Sequence, residues 1–523
     1  MQGDINPLYS GTTVAQLYLS AFKAFPDRKA IVCDGTVLTY AMLHKRCNQI
    51  ARLLKSKGLK KQDAVALLLG NRADAIATLV AVQFIGLRSV SLHPMASEED
   101  HIFVLEDSQA KALIVDSSRF LERAVAINKK GVSAKIFTLD DSSIDAGLLQ
   151  QAALMDDSDF VPESDPDEVT KIAYTGGTTG KSKGVLQPHR TAVTMMNYQL
   201  ATFEWPADIR LLAATPISHA AGALILPAFI RGGTVYLMEK YTVDEFLDIV
   251  QTHRINCTFL VPTQIYGLLD QNDLGKHDLS SLELILYGAA PIAPPRLKEA
   301  LEKIGPVFAQ LYGQAEAPMT ICYLSKGDHD LNRPHLLASC GRVITGNQVK
   351  LLDEHLQEVA TGELGELCVR GPLVTNGYFN RPEENDKAFA GSWLHTGDMA
   401  KQDADGYLYI LDRSKDMIIS GGFNVYPSEI ENCLAQHPDI SMSAVIGLPH
   451  QKWGEEVTAV VVKKAGKHPT EQELIDYVTQ HKGALNAPKS IIFEDELPLT
   501  GLGKINKKAI RSKYWQGQDR QVS

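Results

Sequence analysis

The sequence predicts an α/β protein with a large N-terminal domain of two α/β subdomains and a small β-barrel or sandwich, followed by a small α+β C-terminal domain. Three observations carry this. Up to about residue 320, short all-apolar segments alternate with amphipathic ones, the pattern of parallel sheets covered on both faces. Between about 340 and 411 the texture changes to short strands separated by turn signals. After the charged elbow DRSKD (412–416) a compact run of helices and strands closes the chain. The expected domains are therefore 1–412 and 413–523, with a hinge near 412–416.

In order, IARLLKSKGL (50–59) reads as an amphipathic helix and AVALLL (64–69) as a buried strand. ADAIATLVAVQFIG (73–86) is a helix stopped by glycine, and SVSL (89–92) is a strand. After a further helix comes the strand AKALIVD (110–116). The alternation resumes with TVYLME (234–239), CTFLVP (257–262) and LELILYGAA (282–290). That is too much for one sheet, so two packed subdomains are expected. QVKLLD, GELCVRG, WLHTGD and GYLYILD, with DEH, TGELGE and DADG between them, form the antiparallel region. Beyond it, YPSEIENCLAQH and EQELIDYVTQH are helices, and SAVIGLP, EVTAVVVKK and SIIFED are strands.

Bulk properties narrow the function. A net charge of −10 argues against a general nucleic-acid or membrane-surface binder. Seven scattered cysteines, none in a C-x-x-C pair, fit reduced thiols and not a disulfide framework or zinc site. The start MQGDINPLYSG has no signal-peptide character and the end QVS is no targeting address, so a cytoplasmic location is expected. The most apolar window, 213–230, holds Pro216, Ser218, His219 and Pro227 and reads as core, without stable membrane insertion.

The stretch YTGGTTGKSKG (174–184) cannot pack a core. It reads as a loop between the strand KIAY and a helix after Pro188. Glycines allow close backbone approach, threonine hydroxyls donate, and lysines add charge, an inventory suited to polyphosphate. Gly180-Lys181-Ser182 supplies the second half of a Walker A loop, but its first glycine falls on Thr175, so that motif fails. A plain surface linker is the alternative. Five more stretches suit nucleotide chemistry: ATPISHAAG (214–222), LYGQAE (311–316), WLHTGD (393–398), DRSKDMIISGGFNVYP (412–427) and PLTGLGKINKKAIR (498–511). Each alone is weak.

Together and in this order they resemble the adenylate-forming superfamily of acyl- and aryl-CoA synthetases, luciferases and peptide-synthetase adenylation domains. The resemblance covers nearly the whole chain. It implies that a carboxylate and ATP give acyl-AMP and pyrophosphate, and that the acyl group then passes to CoA. Thr175, Gly176, Gly177, Thr178, Thr179 and Gly180 would cradle the β and γ phosphates, and Lys183 would neutralise the leaving pyrophosphate. Glu316 would hold Mg²⁺. Gly288, Ala289 and Ala290 would form a shelf against adenine, with Tyr312 stacking opposite and Gly313 beside it. Asp398 would accept from the ribose hydroxyls, and Arg413 would bond the ribose or steady the hinge. Lys504 would bridge carboxylate and α-phosphate, and His219 would sit where carboxylate and thiol meet. The resemblance also makes the C-terminal domain mobile, with Lys415 as hinge and Gly421-Gly422 passing the pantetheine of CoA.

The sequence departs from the family at Gly176 (usually Ser), Ser182 (usually Pro) and Ala315, where many relatives have a hydroxyl. The acyl pocket, by resemblance at 219–226, 286–290 and 312–321, is mostly apolar or small and shows no clear basic residue for a second carboxylate, though an arginine could arrive from elsewhere in the chain. A fatty acid is the first expectation and an aryl or cinnamate-type acid the second. A carrier protein or an amine remains an alternative acceptor, and a homodimer is compatible with the sequence. A kinase would need the missing Walker A, and a non-catalytic nucleotide-binding module does not account for Glu316, Asp398 and Lys504 together.

Overall fold

The computed structural model describes residues 11–175, 182–271, 273–413, 416–420, 423–450, 453–500 and 504–515, with Thr175 described by its backbone alone. Among the described residues the strands form four sheets. The first has six strands in the spatial order Lys135–Thr138, Ala112–Val115, Ala64–Leu68, Arg88–Ser91, Val169–Thr175 and Lys183–Pro188. All neighbours are parallel except the last pair. Its inner strands Ala64–Leu68 and Ala112–Val115 are buried throughout, as strands covered on both faces must be.

One expectation is corrected here. The 174–184 loop does not join a strand to a helix. It joins two antiparallel strands, paired from Val169↔Pro188 to Thr175↔Lys183, and the helix His189–Thr202 starts only after the second. GVLQP looked like a helix approach because its five residues are too few to show an alternation of two.

The second sheet has nine strands: Arg342–Val343, Ala317–Leu324, Phe308–Gln314, Leu284–Gly288, Cys257–Leu260, Arg210–Ala213, Thr234–Leu237, Lys29–Cys33 and Thr36–Thr39. From Phe308–Gln314 to Lys29–Cys33 it is parallel, and its edges are antiparallel. The N-terminal hairpin thus belongs to a sheet whose other strands all come from residues 210–343. The helices between the sheets share one core, in which Ile76, Phe84 and Leu67 join Leu211, Phe229, Phe259 and Leu286. Ala73–Ile85 is apolar all round because it lies in this core, and Gly86, at φ 74°, ends it as predicted.

The region expected as a barrel or sandwich is a four-strand antiparallel meander: Gln348–Leu352, Gly365–Arg370, Leu394–Gln402 and Leu408–Arg413. Leu408 bridges back to Gly341, fastening the meander to the edge of the nine-stranded sheet. The fourth sheet centres on the hairpin Ile440–His450 and Gly454–Lys463, with Ser490–Glu494 added in parallel and the short strands Ile418–Ser420 and Phe423–Val425 beside it. Side chains alternate across it. Val445, Val457, Ala459 and Val461 face Ile430, Leu434, Leu474 and Val478 of the helices Pro427–Leu434 and Glu471–Lys482. Ala444, Ile446 and Val460 face Ile510 of the helix Lys507–Tyr514. Among the described residues no helix is long and apolar enough to cross a membrane.

Candidate active site

A cavity of about 2020 Å³ opens where the sheets meet, lined by residues of every one of them. Its first wall is the C-terminal end of Leu284–Gly288. A Cβ on Gly288 would stand 2.4 Å from the Leu311 carbonyl oxygen of the neighbouring strand, so only glycine lets the strands pair there. Ala289 then turns the chain at φ 67°. With Ala290 it borders the cavity. Gly313 answers the same constraint: a Cβ would lie 2.4 Å from Met319 N in the hairpin that carries LYGQAE.

Tyr312 projects from this hairpin and donates its hydroxyl to Asp398 Oδ2 at 2.6 Å. Arg413 Nε donates to Asp398 Oδ1 at 3.2 Å, from the position directly opposite in the meander. Thr396 aims the loop: its hydroxyl accepts from Asp398 N at 3.1 Å and donates to the Leu367 carbonyl at 2.6 Å. Asp398 is buried at 5 % exposure. Among the described residues each of its oxygens has one protein partner and keeps a lone pair for a ligand hydroxyl.

Glu316 is also buried and lines the cavity. Tyr378 donates to its Oε1 at 2.7 Å, and Thr375 N donates to its backbone carbonyl at 2.9 Å. Among the described residues Oε2 has no hydrogen-bond partner, which leaves a carboxylate oxygen for a hard cation. Tyr378 came from VTNGYFN, a stretch with no chemical signature in the sequence. Lys183 Nζ lies 3.4 Å from Glu384 and 5.2 Å from the centre of the Tyr378 ring, so it borders the same corner. Ala315 contributes its backbone: its carbonyl accepts from Gln187 Nε2 at 2.8 Å. Gly176, Gly177, Thr178, Thr179 and Gly180, the side chain of Thr175, the hinge Lys415 and the glycines 421 and 422 lie outside the described residues.

Lys504 arrives from the far end of the chain. Leu499 bridges Ile505, Thr500 N donates to the Lys504 carbonyl at 2.6 Å, and Lys504 N donates to the Thr500 hydroxyl at 3.2 Å. Asn506 then caps the next helix, its side chain accepting from Ala509 N at 3.0 Å. This turn turns Lys504 into the cavity. Burial pushes its ammonium down to about 8, the Arg413 charge adds to the drop, and Asp398 opposes it. Lys507, three residues on, is instead paired with Glu431 at 2.7 Å.

His219 lines the cavity in the turn before the short helix Ala220–Leu224. Gly222 makes that turn: a Cβ would meet the Ile217 carbonyl oxygen at 1.8 Å. The Ser218 hydroxyl is 2.7 Å from His219 Nδ1, and the His93 ring packs edge-on at 4.7 Å. Burial, then His93, Lys171 and Lys504, push the imidazole down to about 3 and keep it neutral. The 219–226, 286–290 and 312–321 segments themselves hold no lysine or arginine, and the basic residue that reaches this part of the pocket from elsewhere is Lys171, not an arginine. It comes from the other sheet, lines the cavity, and donates to the Ser218 carbonyl at 3.4 Å. A lysine inside the otherwise apolar run KIAY was the available signal.

Residues 20–379 match the family profile described as AMP-binding enzyme, and residues 429–504 match that of the AMP-binding enzyme C-terminal domain. The chain belongs to the AMP-binding enzymes. This AMP-binding enzyme is 43% identical over 535 residues to a medium/long-chain-fatty-acid–CoA ligase of Mycobacterium tuberculosis (strain ATCC 25618 / H37Rv), covering 98% of this chain and 92% of the relative. It is 33% identical to a feruloyl-CoA synthase of Amycolatopsis sp, over 94% of this chain and 96% of the other. Among solved structures it resembles the amide bond synthetase of Marinactinospora thermotolerans, with a TM-score of 0.88 at 30% identity, covering 96% of this chain and 99% of that one. This AMP-binding enzyme is an acyl-CoA synthetase, an acid–thiol ligase acting through acyl-AMP.

Proposed function

We propose that the enzyme activates a hydrophobic carboxylic acid, a fatty acid before an aryl acid, and that the residues lining the cavity hold the roles set out here. The acid's carboxylate oxygen attacks the α-phosphorus of ATP and pyrophosphate leaves. The thiol sulfur of CoA then attacks the acyl carbon, AMP leaves, and the thiol proton goes to solvent. The observation that carries this reading is that Lys504, from the end of the chain, faces the same cavity as Asp398, Glu316 and His219.

Two anions must meet in the first step. At an effective dielectric near 20 two unit charges about 4 Å apart repel by about 4 kcal/mol. Lys504 lowers that cost by holding carboxylate and α-phosphate oxygens at once. Asp398 takes the ribose hydroxyls and is kept in place by Tyr312 and Arg413. Gly288, Ala289 and Ala290 give adenine a flat seat. Lys183 and the 175–180 loop take the phosphates. Glu316, oriented by Tyr378, would hold Mg²⁺, which when bound neutralises phosphate charge. His219, being neutral, can accept a hydrogen bond from the incoming thiol without adding charge.

In the second step the C-terminal domain, 413–523, turns about Lys415, takes Lys504 out of the cavity, and brings Gly421 and Gly422 to the pantetheine arm. Cytoplasmic work suits seven cysteines that are all free and buried. The relatives' names support the acid class: one acts on medium- or long-chain fatty acids, another is a feruloyl-CoA synthase. An acceptor other than CoA is the second reading, favoured by the likeness to an amide bond synthetase.

A panel of fatty, aryl and short acids assayed for pyrophosphate release, with and without CoA, tests the reading. Release that depends on the acid, and acyl-CoA formed only with CoA, is expected. ADP in place of AMP, or no release with any acid, would overturn it.

A further inference from the structure

The lysines and arginines that line the cavity and are not exposed divide in two. Most have a carboxylate partner: Lys183 has Glu384, Arg296 has Asp270, Arg381 has Asp107, Arg413 has Asp398, and Lys507 has Glu431. Two, Lys504 and Lys171, have none among the described residues. Leaving an ammonium in an enclosed site without a counter-charge costs stability, and such groups are kept where a ligand supplies the missing charge. Under the reading above, Lys504 has its counter-charge in the reacting carboxylate and phosphate. Among the described residues Lys171 has only one long hydrogen bond, to the Ser218 carbonyl. Lys171 bonds the backbone of the residue just before His219, and Lys171, His219 and Lys504 all line the one cavity.

We propose that Lys171 receives a second acidic group of the acyl substrate, so that the preferred acid carries two carboxylates, one activated at Lys504 and the other held at Lys171. The proposal rests on the adenylating function argued above and narrows its substrate class. The rest of the wall suits the body of such an acid. Ile217, Met196 and Met319 line the same cavity, and an apolar spacer between two anionic ends would lie along them. The pantetheine arm of CoA is a poorer match, because its amides are neutral and leave the charge of Lys171 unanswered.

The test is a length series of α,ω-dicarboxylic acids set beside monocarboxylic acids of equal length. Pyrophosphate release is measured with the wild type, Lys171→Met and Lys171→Arg. The wild type is expected to favour the diacid at the lengths that span the two lysines. Lys171→Met should lose roughly tenfold or more in kcat/KM for that diacid, the scale of a hydrogen bond to a charged group, and keep the monoacid. Lys171→Arg should retain the diacid preference. Melting of Lys171→Met at or above the wild-type temperature is also expected, since it removes an uncompensated charge. Monoacids preferred at every length, or an equal loss for both acid classes, would overturn the assignment of Lys171 while leaving adenylation standing. No release from any acid would overturn both.

Discussion

The phenol of Tyr312 donates to Asp398 Oδ2 at 2.6 Å, tying a strand of the nine-stranded sheet to the meander. The carboxylate that should read the ribose is thus positioned by a residue expected to stack on adenine. Tyr312→Phe keeps the ring and removes the tie. A hydrogen bond to a charged group contributes about 1.5–3 kcal/mol, so roughly a tenfold rise in KM for ATP is expected, with kcat little changed. Steady-state kinetics with ATP varied would check it. An unchanged KM would mean that Arg413 alone holds Asp398.

Lys504→Ala should lose roughly 10²–10³ in adenylate formation, the scale of removing one preorganised electrostatic donor. Thiolysis of supplied acyl-adenylate by CoA should persist, because the proposed second step proceeds with the lysine withdrawn. Equal loss in both half-reactions would count against the assignment.

Adenylation should also fall at alkaline pH. Burial brings the Lys504 ammonium down to about 8, so the charged form is present below that value and lost above it. The kcat/KM profile for the acid is expected to drop above about pH 8. Lysine 171 is shifted to a similar value, so the variant decides the assignment. Lys504→Arg stays charged and should lose that limb. A limb that survives in Lys504→Arg belongs to another group.

Asp412 sits at the junction with the last sheet, accepting from Ser428 N at 3.0 Å and Arg413 N at 3.1 Å. Burial pushes its carboxyl up from 3.8 to about 6, with Lys507 opposing and Glu431 and Asp416 adding to the rise. The folded form therefore keeps a proton that the unfolded chain releases between those values. Stability falls as pH rises from about 4 to about 6, and stays lower above. Asp412→Asn cannot ionise. Its melting temperature relative to wild type should climb as pH is raised from about 4 to about 6 and then level off. A gap that does not vary with pH would refute this.

Ala315→Thr should leave the overall rate within about tenfold, since one neutral hydrogen bond is worth about 0.5–1.5 kcal/mol. The bond from Gln187 uses the backbone carbonyl of residue 315, which the substitution keeps. A complete loss of pyrophosphate release would show that the methyl group is needed for space.

The parallel strands were legible because each is short, apolar and bounded by turn residues, as in AVALLL and LELILYGAA. The motifs that place Glu316, Asp398 and Lys504 were legible because glycines beside them announce tight turns. Tyr378 and Lys171 were harder to find. Tyr378 is positioned by a bridge to Val185 from a distant segment. Lys171 stands in a strand whose other face is core, and nothing local says that its own face is a cavity.

Local sequence by itself determined most of the parallel strands, which turns demand glycine, and which chemical groups are available, because backbone preference and side-chain period act over a few residues. Only the folded chain decided that the hairpin at 29–39 completes the later sheet, that Tyr312 holds Asp398, and that two lysines 333 positions apart by their numbers, 171 and 504, bear on one histidine. Those facts depend on burial and on Coulomb interactions between distant segments, which have no magnitude until packing sets the distance and the dielectric around them.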